Sequence, residues 1–337
     1  MTANEAITVG DVEVGPGQRR TVELPIADLY TGTSLSMPVH VICSRRAGPV
    51  LFVSAAIHGD ELNGVEIVRR LLKRKALKSL RGTLLAVPVV NVHGFLSQSR
   101  YLPDRRDLNR SFPGSAKGSV AARLANVLVR KVVSKANFGI DLHTGAINRT
   151  NLPQIRADLD DDRTLDLARA FGVPVIVDAE AREGSLRACA QESGLPILTY
   201  EAGEALRFDE LCIRAGLRGV VRVMRHIGML PDGKTTDRVR PVVANATSWV
   251  RATASGIVSR VVDLGSRVVA GQLLATIGDP LGDHEEPVVA PFDGIVIGQS
   301  SLPLAHEGDA LFNVAGFDSV ARAEDRLEEF AAEYERQ

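Results

Sequence analysis

The segment SAAIHGDELNG, residues 54–64, sets His58 and Glu61 three positions apart, between an apolar run and a helical pattern. The order is HxxE and not the HExxH of one helix face, so one ligand would come from a turn and the other from the start of the helix. Read alone, this is better explained as a solvated turn. A second histidine, His143 in GIDLHTG, closes another apolar run and raises metal binding above that reading. Two imidazoles and a carboxylate, with a fourth position left to water, form the donor set of hydrolytic zinc sites. Zinc lowers the pKa of bound water from roughly 15.7 to about 7, which yields a nucleophile at neutral pH.

Two further segments could complete such a centre. LTYEAGE offers Glu201 as a base that takes a proton and returns it to a leaving amine, with Glu204 a close competitor. QSRYLPDRRDLNRSFPG, residues 98–114, carries Arg100, Arg105, Arg106 and Arg110 around Asp107 and Asn109. It is too irregular for a helix or strand and reads as a long loop. Planar guanidinium groups suit carboxylate recognition and oxyanion stabilisation, although clustered arginines are more often a solvated surface.

These residues need a frame, and the chain supplies one. From Pro49 onward, apolar runs (VLFVSAAI, TLLAVPVVN, NFGIDLHT, VPVIVDA, LPILTYEAG) alternate with helical patterns (ELNGVEIVRRLLKR, SVAARLANVLVRKVVSKA, TLDLARAFG and residues 205–229). That alternation predicts an α/β fold with a mixed, mostly parallel sheet flanked by helices. His58, His143 and Glu201 all fall at strand ends, where ligands of α/β sheets collect. Residues 1–48 read as antiparallel strands attached to an α/β domain that runs to residue 235. Residues 242–315 are rich in Val, Ile and Gly with frequent turns, which predicts a small all-β domain. Two Gly-Ile-Val segments within it echo each other as a two-fold hairpin arrangement. Residues 316–337 form a charged helix whose Val320, Leu327, Phe330 and Tyr334 make one stripe, suited to packing on the chain itself or on a sister subunit in a homo-oligomer.

Composition removes several classes of function. The formal net charge is -1, from 40 basic and 41 acidic residues, so no overall field would hold nucleic acid or an anionic membrane. No stretch reaches the roughly 18 uninterrupted apolar residues of a membrane span, and the N-terminus lacks a signal pattern, which predicts a cytoplasmic protein. Cys43, Cys189 and Cys212 are scattered and odd in number, so they read as buried small hydrophobes and not as a disulfide framework.

Taken in order, HGDE, DLNRSFPG, DLHTG and YEAGE resemble the succinylglutamate desuccinylase/aspartoacylase family, relatives of the zinc carboxypeptidases, over roughly residues 20–315. The resemblance implies a zinc amidohydrolase of small N-acyl substrates with one Zn2+ per chain, held by His58, Glu61 and His143, and the arginines near that centre favour a small anionic substrate. It also implies Glu201 as general base and Arg100 as the group polarising the scissile carbonyl. Asn109 and Arg110 would hold the substrate carboxylate, and Asp107 would orient His58 from behind. The interval from Arg100 to Asn109 is longer than in aspartoacylases, so Arg105 or Arg106 stands as an alternative to Arg100. A carboxypeptidase acting on peptides and a non-catalytic zinc-binding regulator remain alternatives. The small domain resembles biotinyl and lipoyl carriers of the barrel-sandwich hybrid type, yet no lysine follows Lys234, so no cofactor arm can be attached. Its expected role is to shape the mouth of the site, and His284 and His306 within it read as turn residues.

Overall fold

The computed structural model describes residues 3–233 and 240–335, so the expected domain boundary at residue 235 lies outside the described residues. Four parallel strands, Thr83–Val87, Val50–Ala55, Phe138–Gly145 and Ile197–Glu204, lie side by side at the centre of a 13-stranded mixed sheet. Arg19–Asp28 and Ser34–Cys43 form the antiparallel pair expected near the N-terminus and extend one edge. On the other side, Arg149–Ala157 runs antiparallel to Ile197–Glu204.

Side chains alternate across the sheet, as the period of two requires. In Val50–Ala55, Leu51, Val53 and Ala55 join a core shared with Asn63–Leu72 and Glu210–His226. Phe52 points the opposite way, into a core shared with Val120–Lys131. Burying a side chain such as Phe52 stabilises the fold by about 1.5–3 kcal/mol.

The sheet does not stop at the first 233 residues. Residues 149–151 pair antiparallel with Gly294–Ser300, which pairs in turn with Ala310–Gly316 and then Ala246–Arg251. Residues 154–157 pair instead with Val175–Asp178, in parallel. A separate four-stranded sheet contains Gly256–Arg260, Leu273–Gly278 and Glu285–Val289. The echoed Gly-Ile-Val segments begin Gly256–Arg260 and Gly294–Ser300.

In the terminal helix Val320–Glu335, the expected stripe packs on its own chain. Phe330 and Tyr334 enter the main core, and Arg218 lies 4.5 Å above the Tyr334 ring. No helix among the described residues is long and apolar enough to cross a membrane. All three cysteines are free and buried.

Candidate metal centre and its pocket

The turn carrying His58 is built by close backbone approach. Ala56, just past the Val50–Ala55 strand, adopts φ +52°, a conformation that costs a non-glycine residue of order 1 kcal/mol and redirects the chain. Two glycines of the motif then admit neighbours that a side chain would exclude. A Cβ on Gly59 would meet the Gly94 carbonyl carbon at 2.0 Å, and one on Gly64 would meet Leu142 and Ala55 Cβ at 2.8 and 2.9 Å. Gly64 therefore lets helix Asn63–Leu72 press against two strands, which carries Glu61 to the strand end where His143 lies.

Glu61 sits between the two rings. Its Oε1 is 2.7 Å from His58 Nδ1 and its Oε2 is 2.8 Å from His143 Nδ1, with the Thr144 backbone N–H donating to Oε2 at 3.0 Å. One ligand atom from each residue lies within 4.8 Å of the others, and all three residues are buried. The outer nitrogens have partners of their own. His143 Nε2 is 2.7 Å from Asp141 Oδ2, and His58 Nε2 is 3.2 Å from Asp107 Oδ1. Ser54 in turn donates to Asp141 Oδ1 at 2.8 Å.

This arrangement fits a divalent cation. Each ring turns Nδ1 inward and sets Nε2 on a carboxylate, the pattern that fixes the tautomer and ring orientation of a metal-binding histidine. Two nitrogens and one carboxylate match zinc's preferences. Burial alone would discharge these groups, but mutual attraction outweighs it. Glu61 lies far below the usual carboxylate range despite its burial, because both imidazoles face it. His143 is raised well above 6.5 against its burial by Asp141 and Glu61, and His58 is raised by Glu61 and Asp107.

The loop of residues 98–114 covers one side of this trio. Arg100 lines the pocket, with Nη1 3.5 Å from Glu61 Oε1 and Nη2 donating to Asp107 Oδ2 at 3.0 Å. Arg105 and Arg106 are not among the pocket-lining residues, and Arg106 faces Asp104. Asn109 and Arg110 both line the pocket. The Asn109 backbone N–H caps onto Asp107 Oδ1 at 2.8 Å, and its Oδ1 accepts from Leu186 N at 2.9 Å.

Glu201 stands in register beside His143 on the neighbouring parallel strand and lines the pocket. Asn151 Nδ2 donates to its Oε2 at 3.0 Å, and Arg156 Nε lies 3.1 Å from the same oxygen. Glu204 is turned away, toward Ser301, Arg207 and the Asn148 backbone.

The cavity, about 240 Å³, is also lined by Arg149, Arg182, Arg187 and Trp249. Arg149 stacks 4.7 Å from the Trp249 ring centroid, joining the α/β part to strand Ala246–Arg251. Sequence reasoning missed Asp141, Asn151, Arg149, Arg156, Arg187 and Trp249. Asp141 was discoverable, since it lies two residues before His143 on one strand face. His284 and His306 occupy exposed turns closed by Asp279 and Asp309, as expected.

The profile of the Succinylglutamate desuccinylase/Aspartoacylase catalytic domain matches residues 47–227. N-alpha-acetyl-L-2,4-diaminobutyric acid deacetylase from Halomonas elongata is 27% identical over 323 residues, covering 90% of this chain and 93% of that protein. The product-bound structure of the ectoine utilization protein EutE (DoeB) from Ruegeria pomeroyi is 26% identical with a TM-score of 0.80, covering 89% of this chain and 95% of that one. A succinylglutamate desuccinylase/aspartoacylase structure from Rhodobacter sphaeroides, 24% identical over the same shares of both chains, has a TM-score of 0.80 and speaks to the fold alone.

Proposed function

This chain belongs to the succinylglutamate desuccinylase/aspartoacylase family, and on that premise we propose that it is a zinc-dependent hydrolase of the amide bond in small N-acylated amino acids or related amines. The convergence of His58, Glu61 and His143 from two separate segments carries this function. Zinc bound there supplies Lewis-acid polarisation and a water acidic enough to attack near neutral pH.

The chain's own groups do the rest. Glu201 takes a proton from the attacking water and passes it to the leaving amine. Arg100, held by Asp107, presents guanidinium N–H groups to the oxygen that gains charge. Asn109 and Arg110 bind the substrate carboxylate and set the amide against Glu201. A 240 Å³ cavity walled by Trp249 favours small substrates over peptides, which need an open groove. The Halomonas relative is a deacetylase of an N-acetylated diamino acid, so N-acetyl-2,4-diaminobutyrate heads the substrate panel. Protein loaded with one equivalent of zinc should release free amine from at least one member of a panel of N-acetyl and N-succinyl amino acids. Binding of the whole panel without cleavage would refute hydrolysis, and digestion of peptides alone would favour a carboxypeptidase.

A further inference from the structure

Glu201 is held asymmetrically. Both of its side-chain partners, Asn151 and Arg156, engage Oε2, and among the described residues Oε1 has no hydrogen-bond or ion-pair partner. Both partners come from strand Arg149–Ala157. Gln154 stands directly across from Glu201 and Arg156 across from Thr199, so Arg156 reaches the carboxylate along the diagonal of one sheet face. An ion pair between adjacent strands is usually a surface feature of little consequence. Three observations set this one apart.

The first is location: Arg156, Asn151 and Glu201 all line the cavity that holds the trio. The second is what surrounds the pair. Arg187, fixed on the carbonyls of Ala179 and Glu180, places a second positive charge close to both Arg156 and Glu201. Arg156 is thus repelled by Arg187 and attracted by the Glu201 carboxylate. Among the described residues the Arg156 Nε–H makes no hydrogen bond, so its grip on Oε2 is one of charge and not of directed bonding.

The third is the cost accepted to keep Asn151 in place. It is 6% exposed, and its Oδ1 is a buried acceptor without a partner among the described residues. An unsatisfied buried amide oxygen destabilises a fold, so a residue retained on those terms has another use. Gly298, on the adjoining strand, makes room for it, since a Cβ there would lie 2.8 Å from Asn151 Oδ1.

We propose that Arg156, assisted by Asn151, is a positioning residue of the reaction, anchoring Oε2 of Glu201 so that Oε1 is the oxygen that receives and returns the proton. This rests on the reading of Glu201 as the base. Oε1 takes a proton from water as its lone pair forms the O–H bond. The same proton then moves to the amine nitrogen as the carbon–nitrogen bond breaks, leaving Glu201 ionised as it began. Arg156 exchanges no proton.

Kinetics of the zinc-loaded enzyme on its best panel substrate test this. Arg156→Gln should lower kcat by roughly 10- to 100-fold with KM within about twofold, because the base is misplaced while the substrate carboxylate is still held. Arg156→Lys should recover part of the loss by restoring the charge. A raised KM with unchanged kcat would make Arg156 a substrate-binding group and overturn the proposal, as would no change in either. Zinc content and thermal midpoint identify a variant that has merely unfolded. The second measurement does not depend on turnover. With 13C-carboxyl glutamate and the Glu201→Gln protein for assignment, the Glu201 carboxyl resonance, recorded at one pH, should change position in Arg156→Gln relative to the parent, because one oxygen has lost its fixed cationic partner. A Glu201 resonance unmoved by the substitution would overturn the anchoring. If the parent hydrolyses nothing on the panel, the amidase reading fails, and this resonance still decides whether Arg156 anchors Glu201.

Discussion

The floor and the rim of the pocket are built on opposite plans. At the floor, every polar atom of the trio has a partner: Glu61 is shared by two rings, and each ring leans on a carboxylate of its own, Asp107 or Asp141. At the rim, Arg182 has no ion pair or hydrogen bond to its side chain among the described residues, and Arg149 rests on an indole face and not on an acid. A saturated buried cluster tolerates no change without exposing an uncompensated charge. An unsaturated cationic rim has donors to spare for an arriving anion. The floor should therefore determine whether the reaction occurs, and the rim which molecule undergoes it.

The comparison breaks most visibly at the floor. Glu61→Gln or His143→Ala should abolish zinc binding and turnover together, a loss of at least about a thousandfold if the cation supplies most of the activation. Atomic absorption beside an activity assay checks it, and activity that survives loss of the metal would remove the distinction. Next, Glu201→Gln should retain one zinc per chain while kcat falls by about 10²- to 10⁴-fold, the range of a lost general base. At the rim the effects should be smaller and of another kind. Arg110→Ala removes a charge-assisted contact worth about 1.5–3 kcal/mol, so KM should rise roughly 10- to 150-fold with kcat nearly constant. A fall in kcat instead would place Arg110 with the floor.

Acidity sharpens the contrast further. His58 and His143 have folded pKa values above their ordinary 6.5, raised by their carboxylate neighbours. Without a cation, their contribution to stability is complete below 6.5 and is lost as pH rises through the folded values. A cation must displace the same protons, so zinc affinity should climb with pH until both rings are neutral. Competition against a chelator at a series of pH values, with proton release followed by calorimetry, measures this. A flat affinity would show that the rings do not change protonation on binding. The gentlest expected effect is that of Trp249→Leu, which should alter relative KM values across the panel and leave the zinc stoichiometry intact.

Much of the floor was legible because it is local. HGDE and DLHTG each sit where an apolar strand gives way to a turn, and strand ends of a parallel sheet meet at one edge whatever the strand order. The choice between Glu201 and Glu204 needed coordinates, since a register shift between Glu201 and Gly203 decides which carboxylate faces the cavity. The neighbouring strand, whose Asn151 and Arg156 grip Glu201, escaped notice altogether. RTNLPQIRA carries a proline and buried Asn151 and Gln154, composition that argues against a central strand. It survives because Leu152 and Pro153 fall between its two outer partners, Gly294–Ser300 and Val175–Asp178, where no ladder hydrogen bond is required of Pro153. Arg156, Asn151 and Trp249 reach the pocket through cross-strand pairings of residues up to about a hundred and fifty apart, and no spacing rule reports those.

Trp249 is the chain's only tryptophan, and it stands in the pocket wall with a guanidinium against its face. Tryptophan emission, excited where the four tyrosines do not absorb, is thus a signal from one place, read without labels. Any solute that draws Arg149 off the ring alters the brightness of that single fluorophore, so occupancy can be followed optically before a substrate has been found.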